Sequence, residues 1–67
     1  MNDGFINVYN ELKGFGFIRR KKGRDLIFDY KDISMPYDNF EICRDLKVEF
    51  DVVKTPKGYR AINIRII

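Results

Sequence analysis

The chain has 67 residues, 45% hydrophobic and 34% charged, with a formal net charge of +3. That is enough apolar material for one small domain over residues 1–67 and too much for a disordered chain, although a chain this short buries only about 60% of its unfolded surface. A single cysteine, Cys43, and no histidine exclude an internal disulfide and a multi-cysteine metal site, and all but exclude a zinc site or a histidine-based catalytic triad. No apolar run reaches about 18 residues and no charged-then-apolar leader opens the chain, so neither a transmembrane helix nor a signal peptide is expected, and the expected setting is a reducing cytoplasm. The mild positive charge permits a nucleic-acid partner without demanding one.

In chain order, Met1 to Asp3 read as a frayed start. Gly4 to Tyr9 is rich in β-branched and aromatic residues and too short for a helix, which predicts a first strand. Asn10 to Gly14 reads as a turn. Phe15 to Arg20 is the second predicted strand, and Lys21-Lys22-Gly23 a tight turn that makes a hairpin with a third strand, Arg24 to Tyr30. Lys31 to Arg44 is broken by Pro36 and a Tyr-Asp-Asn run; one helical turn around Lys31-Asp32-Ile33 is expected and the remainder is a long loop. Asp45 to Lys54 alternates, with Leu46, Val48, Phe50 and Val52 on one face of a half-buried strand. Thr55 to Gly58 is a turn. Tyr59 to Ile67 is the fifth strand, with Ala61, Asn63, Arg65 and Ile67 opposite Ile62, Ile64 and Ile66. Five short strands with glycine-containing turns and no helix of normal length predict an all-β, five-stranded antiparallel barrel. An SH3-like closure fits the strand count equally well.

The most informative stretch is Lys13-Gly14-Phe15-Gly16-Phe17-Ile18. Residues two apart on a strand share a face, so Phe15 and Phe17 lie side by side and Gly14 and Gly16 lie opposite. Two readings stay open: a pair of core residues, or an aromatic platform facing water. A platform suits unpaired bases, since base–aromatic stacking is worth roughly 1–3 kcal/mol per base. Lys13, Arg19, Arg20, Lys21, Lys22 and Arg24 gather around the same hairpin and are suited to neutralising phosphates, although taken alone such a run is simply a solvated turn. On the third strand Leu26, Phe28 and Tyr30 have one parity and Asp25, Ile27 and Asp29 the other. Nothing supports catalysis: Asp25 and Asp29 are a weak acid/base signal beside the simpler reading of two solvated aspartates balanced by arginines. Cys43 reads as a loop or semi-buried thiol, with Arg44 its only obvious cationic neighbour.

These motifs resemble the cold-shock domain family. The resemblance is carried by Gly4 and an apolar strand ending Tyr9-Asn10, by Lys13 to Ile18 as the first RNA-binding motif, and by Asp25 to Tyr30 as a more degenerate second motif followed by Ile33. Lys47-Val48-Glu49-Phe50 resembles the family's fourth strand, and Lys57-Gly58 with Ala61-Ile62-Asn63-Ile64 its last. The resemblance implies a five-stranded OB-fold barrel that binds single-stranded RNA or DNA with little sequence preference, acts as an RNA chaperone and needs no cofactor. It implies a stacking surface of Phe15, Phe17 and Tyr30, with Lys13 as the basic residue opening the first motif and Tyr9 and Asn10 as the pair closing the first strand. The departures thin that surface. Val8 stands where the family usually has tryptophan, Ile27 where it has an outward phenylalanine, Asp29 where it has histidine, Asn7 where it has a basic residue and Tyr59 where it has proline. Weaker single-strand affinity or a shifted footprint is expected, with Tyr37 and Phe40 of the long loop and Tyr59 and Arg60 after the last turn as compensating contacts and Lys57 as a further nucleic-acid-binding residue. An alternative for Phe40 is packing under its own loop.

A second function stays open, a protein-interaction module that keeps the barrel and has repurposed its platform. The discriminating feature is the sign of charge around Phe15 and Phe17: Lys13, Arg19 and Lys57 favour nucleic acid, Asp25 and Asp29 the alternative. A monomer is the expected state, while an exposed aromatic face and a short edge strand leave a dimer open.

Overall fold

The computed structural model describes residues 2–34 and 42–67. Five strands run β1 (Asn2–Asn10), β2 (Phe15–Arg20), β3 (Leu26–Asp29), β4 (Lys47–Thr55) and β5 (Gly58–Ile66), with a short 3-10 turn (Tyr30–Asp32) after β3. They close into a barrel in the order β1-β2-β3-β5-β4, with β4 pairing back onto β1. This is the OB-fold order, and it separates the barrel from the SH3-like closure that the strand count left open. The pairings β1–β2, β2–β3, β1–β4 and β4–β5 are antiparallel, as expected. The closing pair, β3–β5, is parallel at Ile27 and Arg60, and a parallel bridge from Ile33 to Ile64 extends it. The correction follows from the odd number of strands: a ring of five cannot alternate direction all the way round.

The core is Ile6, Ile18, Leu26, Phe28, Ile42, Val48, Phe50, Ala61 and Ile64, with Tyr9, Ile33, Leu46, Val52 and Ile66 packed around it. Ile42, expected in a loop, is buried in the core. The apolar face expected on β4 points inward, with Val48 and Phe50 fully buried. On β5 simple alternation would set Ala61 and Ile64 on opposite faces, yet both are buried. Asn63 adopts φ 50°, and the β4–β5 register shifts between Glu49 and Asp51. A β-bulge at Asn63 therefore turns the strand over. A second register shift, between Ile6 and Val8, makes Asn7 the extra residue of β1 opposite β2.

The expected element ends move where tertiary partners act. Asn2 and Asp3 are not frayed, because they pair with Phe50 and Glu49 of β4. β3 stops at Asp29 rather than Tyr30, because the Asp29 carboxylate caps the 3-10 turn by accepting from the Lys31 N–H at 2.9 Å. The connection from β2 to β3 spans residues 21–25, longer than a tight turn, with Gly23 at φ 91° and Arg20 Nε donating to the Arg24 carbonyl at 3.0 Å.

Candidate nucleic-acid interface

β2 places its two kinds of residue as alternation requires. Gly16 and Ile18 are buried, while Phe15 and Phe17 point outward and are half-buried. Gly16 is needed on the inner side: a β-carbon there would lie 2.2 Å from the Val8 carbonyl oxygen and 2.9 Å from the Phe28 ring. Phe28 fills the space that glycine leaves. The outward rings of Phe15 and Phe17 meet edge to face, centroids 6.5 Å apart and planes at 87°, a favourable aromatic geometry.

The neighbouring strands extend this face in rows. Phe17 lies between Val8 on β1 and Ile27 on β3, and Phe15 between Asn10 and Asp29. Val8 is 50% exposed and Ile27 44%. Tyr30 is 38% exposed, and its backbone N–H donates to the Gly14 carbonyl at 2.7 Å, which brings the start of the 3-10 turn against the first-motif turn. Beside Phe17 opens a groove of about 520 Å³ lined also by Ile27, Tyr59, Lys57 and Arg24. Tyr59, 55% exposed, brings an aromatic from the far side of the barrel closure.

Several predicted site residues take supporting places. Asn10 Oδ1 accepts the Lys13 N–H at 3.1 Å, so Asn10 shapes the turn that carries the exposed Lys13. Tyr9 is half-buried, stacked on Phe28 with centroids 5.8 Å apart and planes at 11°, so one ring face is already covered. Its hydroxyl is buried and finds no hydrogen-bond partner among the described residues. Burial, with smaller contributions from Tyr30, Asp29 and Glu11, holds its phenol above the usual tyrosine range. Arg60 is ion-paired with Asp32, and its Nε is buried without a partner among the described residues. Lys57 is exposed at the β4–β5 turn, where its N–H donates to Thr55 Oγ1 at 3.2 Å. Phe40, like Tyr37, lies outside the described residues.

The acidic residues of the face are engaged locally. Asp25 accepts from Arg19 Nε at 3.1 Å and from Asn7 Nδ2 at 3.0 Å. The Arg19 hydrogen bond, against some desolvation, holds the Asp25 carboxyl below the usual carboxylate range. Asp29 caps the 3-10 turn, and its own N–H donates to Asp32 Oδ2 at 2.8 Å. Each carboxylate is thus met by a donor from the chain itself, whereas Lys13 and Lys57 are exposed, Lys13 two residues before Phe15 and Lys57 in the groove beside Phe17. Sequence reasoning missed Asp32 and Asn7 as organisers. The Asp-x-x-Asp spacing of Asp29 and Asp32 is the available signal for a capping box; Asn7 carries no local signal, since its partner is 18 residues away.

The arrangement is a half-exposed aromatic pair in an apolar row, rimmed by cations, on one side of a closed five-stranded barrel. A family model described as the 'Cold-shock' DNA-binding domain matches residues 2–67. The chain is 43% identical over 65 residues to the retron Se72 cold shock-like protein of Salmonella heidelberg (strain 579083-10), covering 97% of each. It is 37% identical over 68 residues to the cold shock-like protein CspA of Stigmatella aurantiaca, covering 100% of this chain and 98% of that one. It is 35% identical over 66 residues to the cold shock protein CspC of Bacillus subtilis, covering 97% of each. With the barrel order, the outward aromatic pair and these matches together, the chain belongs to the cold-shock DNA-binding domain family.

Proposed function

We propose that the outward face of β1, β2 and β3 binds single-stranded RNA or DNA by stacking unpaired bases on Phe15, Phe17 and Tyr30, with Lys13, Lys57 and the Arg19–Arg24 segment meeting phosphates. The observation that carries this reading is the outward, half-exposed placement of Phe15 and Phe17 over a glycine that faces the core. A flat ring open to solvent accepts any base, which makes the binding sequence-tolerant. The ion pair of Asp25 with Arg19 supports nucleic acid over a protein partner, because the charge of that carboxylate is offset beside the pair. Binding only the unpaired form of an RNA shifts its folding equilibrium by mass action, so the domain acts as an RNA chaperone without a cofactor or catalytic step. Each of the five strands pairs with two neighbours in a closed barrel, which supports action as a monomer. The exposed free thiol of Cys43 suits a reducing, cytoplasmic setting.

The test is titration with a short oligo-U or oligo-dT at low salt. Wild-type protein should bind with an affinity that falls as salt rises. Replacement of Phe15 or Phe17 by alanine should each cost about 1–3 kcal/mol of binding. Unchanged affinity in Phe15→Ala/Phe17→Ala overturns the stacking mechanism. Absence of oligonucleotide binding, with nuclease-resistant capture of a protein partner, points to the interaction-module reading.

A further inference from the structure

The outward rows of the sheet do not stop at Phe17. Arg19 follows it on the same face of β2, and Arg19 pairs across with Phe5 of β1, which pairs in turn with Lys47 of β4. Phe5 therefore stands one outward row beyond Val8 and Phe17, about 6–7 Å further along the strand direction. It is 37% exposed. Around it lies a shallow pocket of about 300 Å³, lined by Phe5, Arg19, Arg20, Lys21 and Lys47, with Asp3 as its carboxylate. Arg20 lines both this pocket and the groove beside Phe17, so the two depressions share a wall. Asn7, the bulged residue between the rows, is tied down to Asp25. An exposed aromatic ring set among cations and continuous with the platform has the chemistry for one more nucleotide: a ring face for the base and ammonium groups for the phosphate.

We propose that the Phe5 pocket extends the single-strand site, stacking a further base on Phe5 while Lys47 and Lys21 neutralise its phosphate. This rests on the reading of the Phe15–Phe17 face as the single-strand platform. The footprint then turns from the β1–β3 face toward β4 and involves a residue outside both RNA-binding motifs.

The experiment compares oligo-dT of about four and about eight nucleotides, within the span of site sizes known for such barrels, on the full chain at low salt. Wild type should gain affinity with length. Phe5→Ala should lose roughly 5- to 100-fold for the longer strand and leave the shorter unchanged. Lys47→Gln, a change at an exposed side chain that keeps the test alive if Phe5→Ala does not fold, should lower the salt slope for the longer strand alone by about 0.7. Circular dichroism checks both folds. If Phe17→Ala weakens both lengths while Phe5→Ala and Lys47→Gln weaken neither, the extension is overturned and the platform stands. If wild type binds neither length, both fall. If a polyglutamate peptide binds in a Phe5-dependent way while both strands ignore Phe5→Ala, the pocket serves an acidic protein partner and the proposal is overturned.

Discussion

Gly16 and Phe28 face each other across the β2–β3 pair, and the absent side chain of one is the space occupied by the other. This relationship joins the core to the binding face. Phe28 is fully buried, supports the ring of Tyr9 from inside, and lies beneath the strand whose outer side carries Phe15 and Phe17. Gly16→Ala should therefore destabilise the barrel by about 1–3 kcal/mol, the usual cost of overpacking. The Val8 carbonyl oxygen 2.2 Å from the new β-carbon is backbone and cannot rotate away. Thermal unfolding followed by circular dichroism should show a midpoint lower by several degrees; a wild-type midpoint would contradict the packing described.

Asp32 receives both the Asp29 N–H and the Arg60 guanidinium. Asp32→Ala removes half of a capping box and leaves Arg60 without that charge partner. A loss of about 1–3 kcal/mol is expected for hydrogen bonds of this charged kind. Under the proposed function, the uncompensated Arg60 should also steepen the salt dependence of oligonucleotide binding. Stability equal to wild type, or a shallower salt slope, would count against the network.

Asp25 makes stability depend on acid pH in a defined sense. Its carboxyl is held low in the folded chain, chiefly by the Arg19 hydrogen bond. As pH falls, the unfolded chain takes up this proton first. The stabilisation is complete above the ordinary carboxylate value of about 4 and disappears as pH drops through the lower folded value. Arg19→Gln should flatten this part of the melting-temperature profile. An acid limb of unchanged steepness in that variant would assign the effect to other carboxylates.

Tyr9 works at the opposite end of the scale. Its phenol is raised, first by burial, so the folded chain keeps the proton more tightly than the unfolded one. Stability is complete below the unfolded value near pH 10 and is lost as pH climbs through the folded value. Tyr9→Phe removes a buried hydroxyl that lacks a partner among the described residues, so its stability near neutral pH should equal or exceed wild type. It should also melt later than wild type in alkali. A marked loss at neutral pH would reveal a hydrogen bond made by that hydroxyl.

Local pattern determined a large share of this protein. The alternation of Gly14 to Ile18 made Phe15 and Phe17 a same-face pair, the spacing of Leu46 to Val52 identified the inner side of β4, and glycine-containing turns marked the strand count, because each depends only on the two-residue period of a strand or on backbone freedom. The tertiary structure decided what depends on partners distant in sequence. It turned the Phe15–Phe17 pair outward by placing Phe28 against Gly16, turned β5 over at Asn63 so that Ala61 and Ile64 share the core, and closed an odd ring with a parallel pair. It also chose Arg19 as the arginine that balances Asp25, gave Asp29 a backbone N–H rather than an arginine, and tied Arg60, expected as a ligand contact, to Asp32. The physical reason is common to all of these: a period sorts side chains into two faces, but only the packing of distant strands decides which face is inside and which charges are already met.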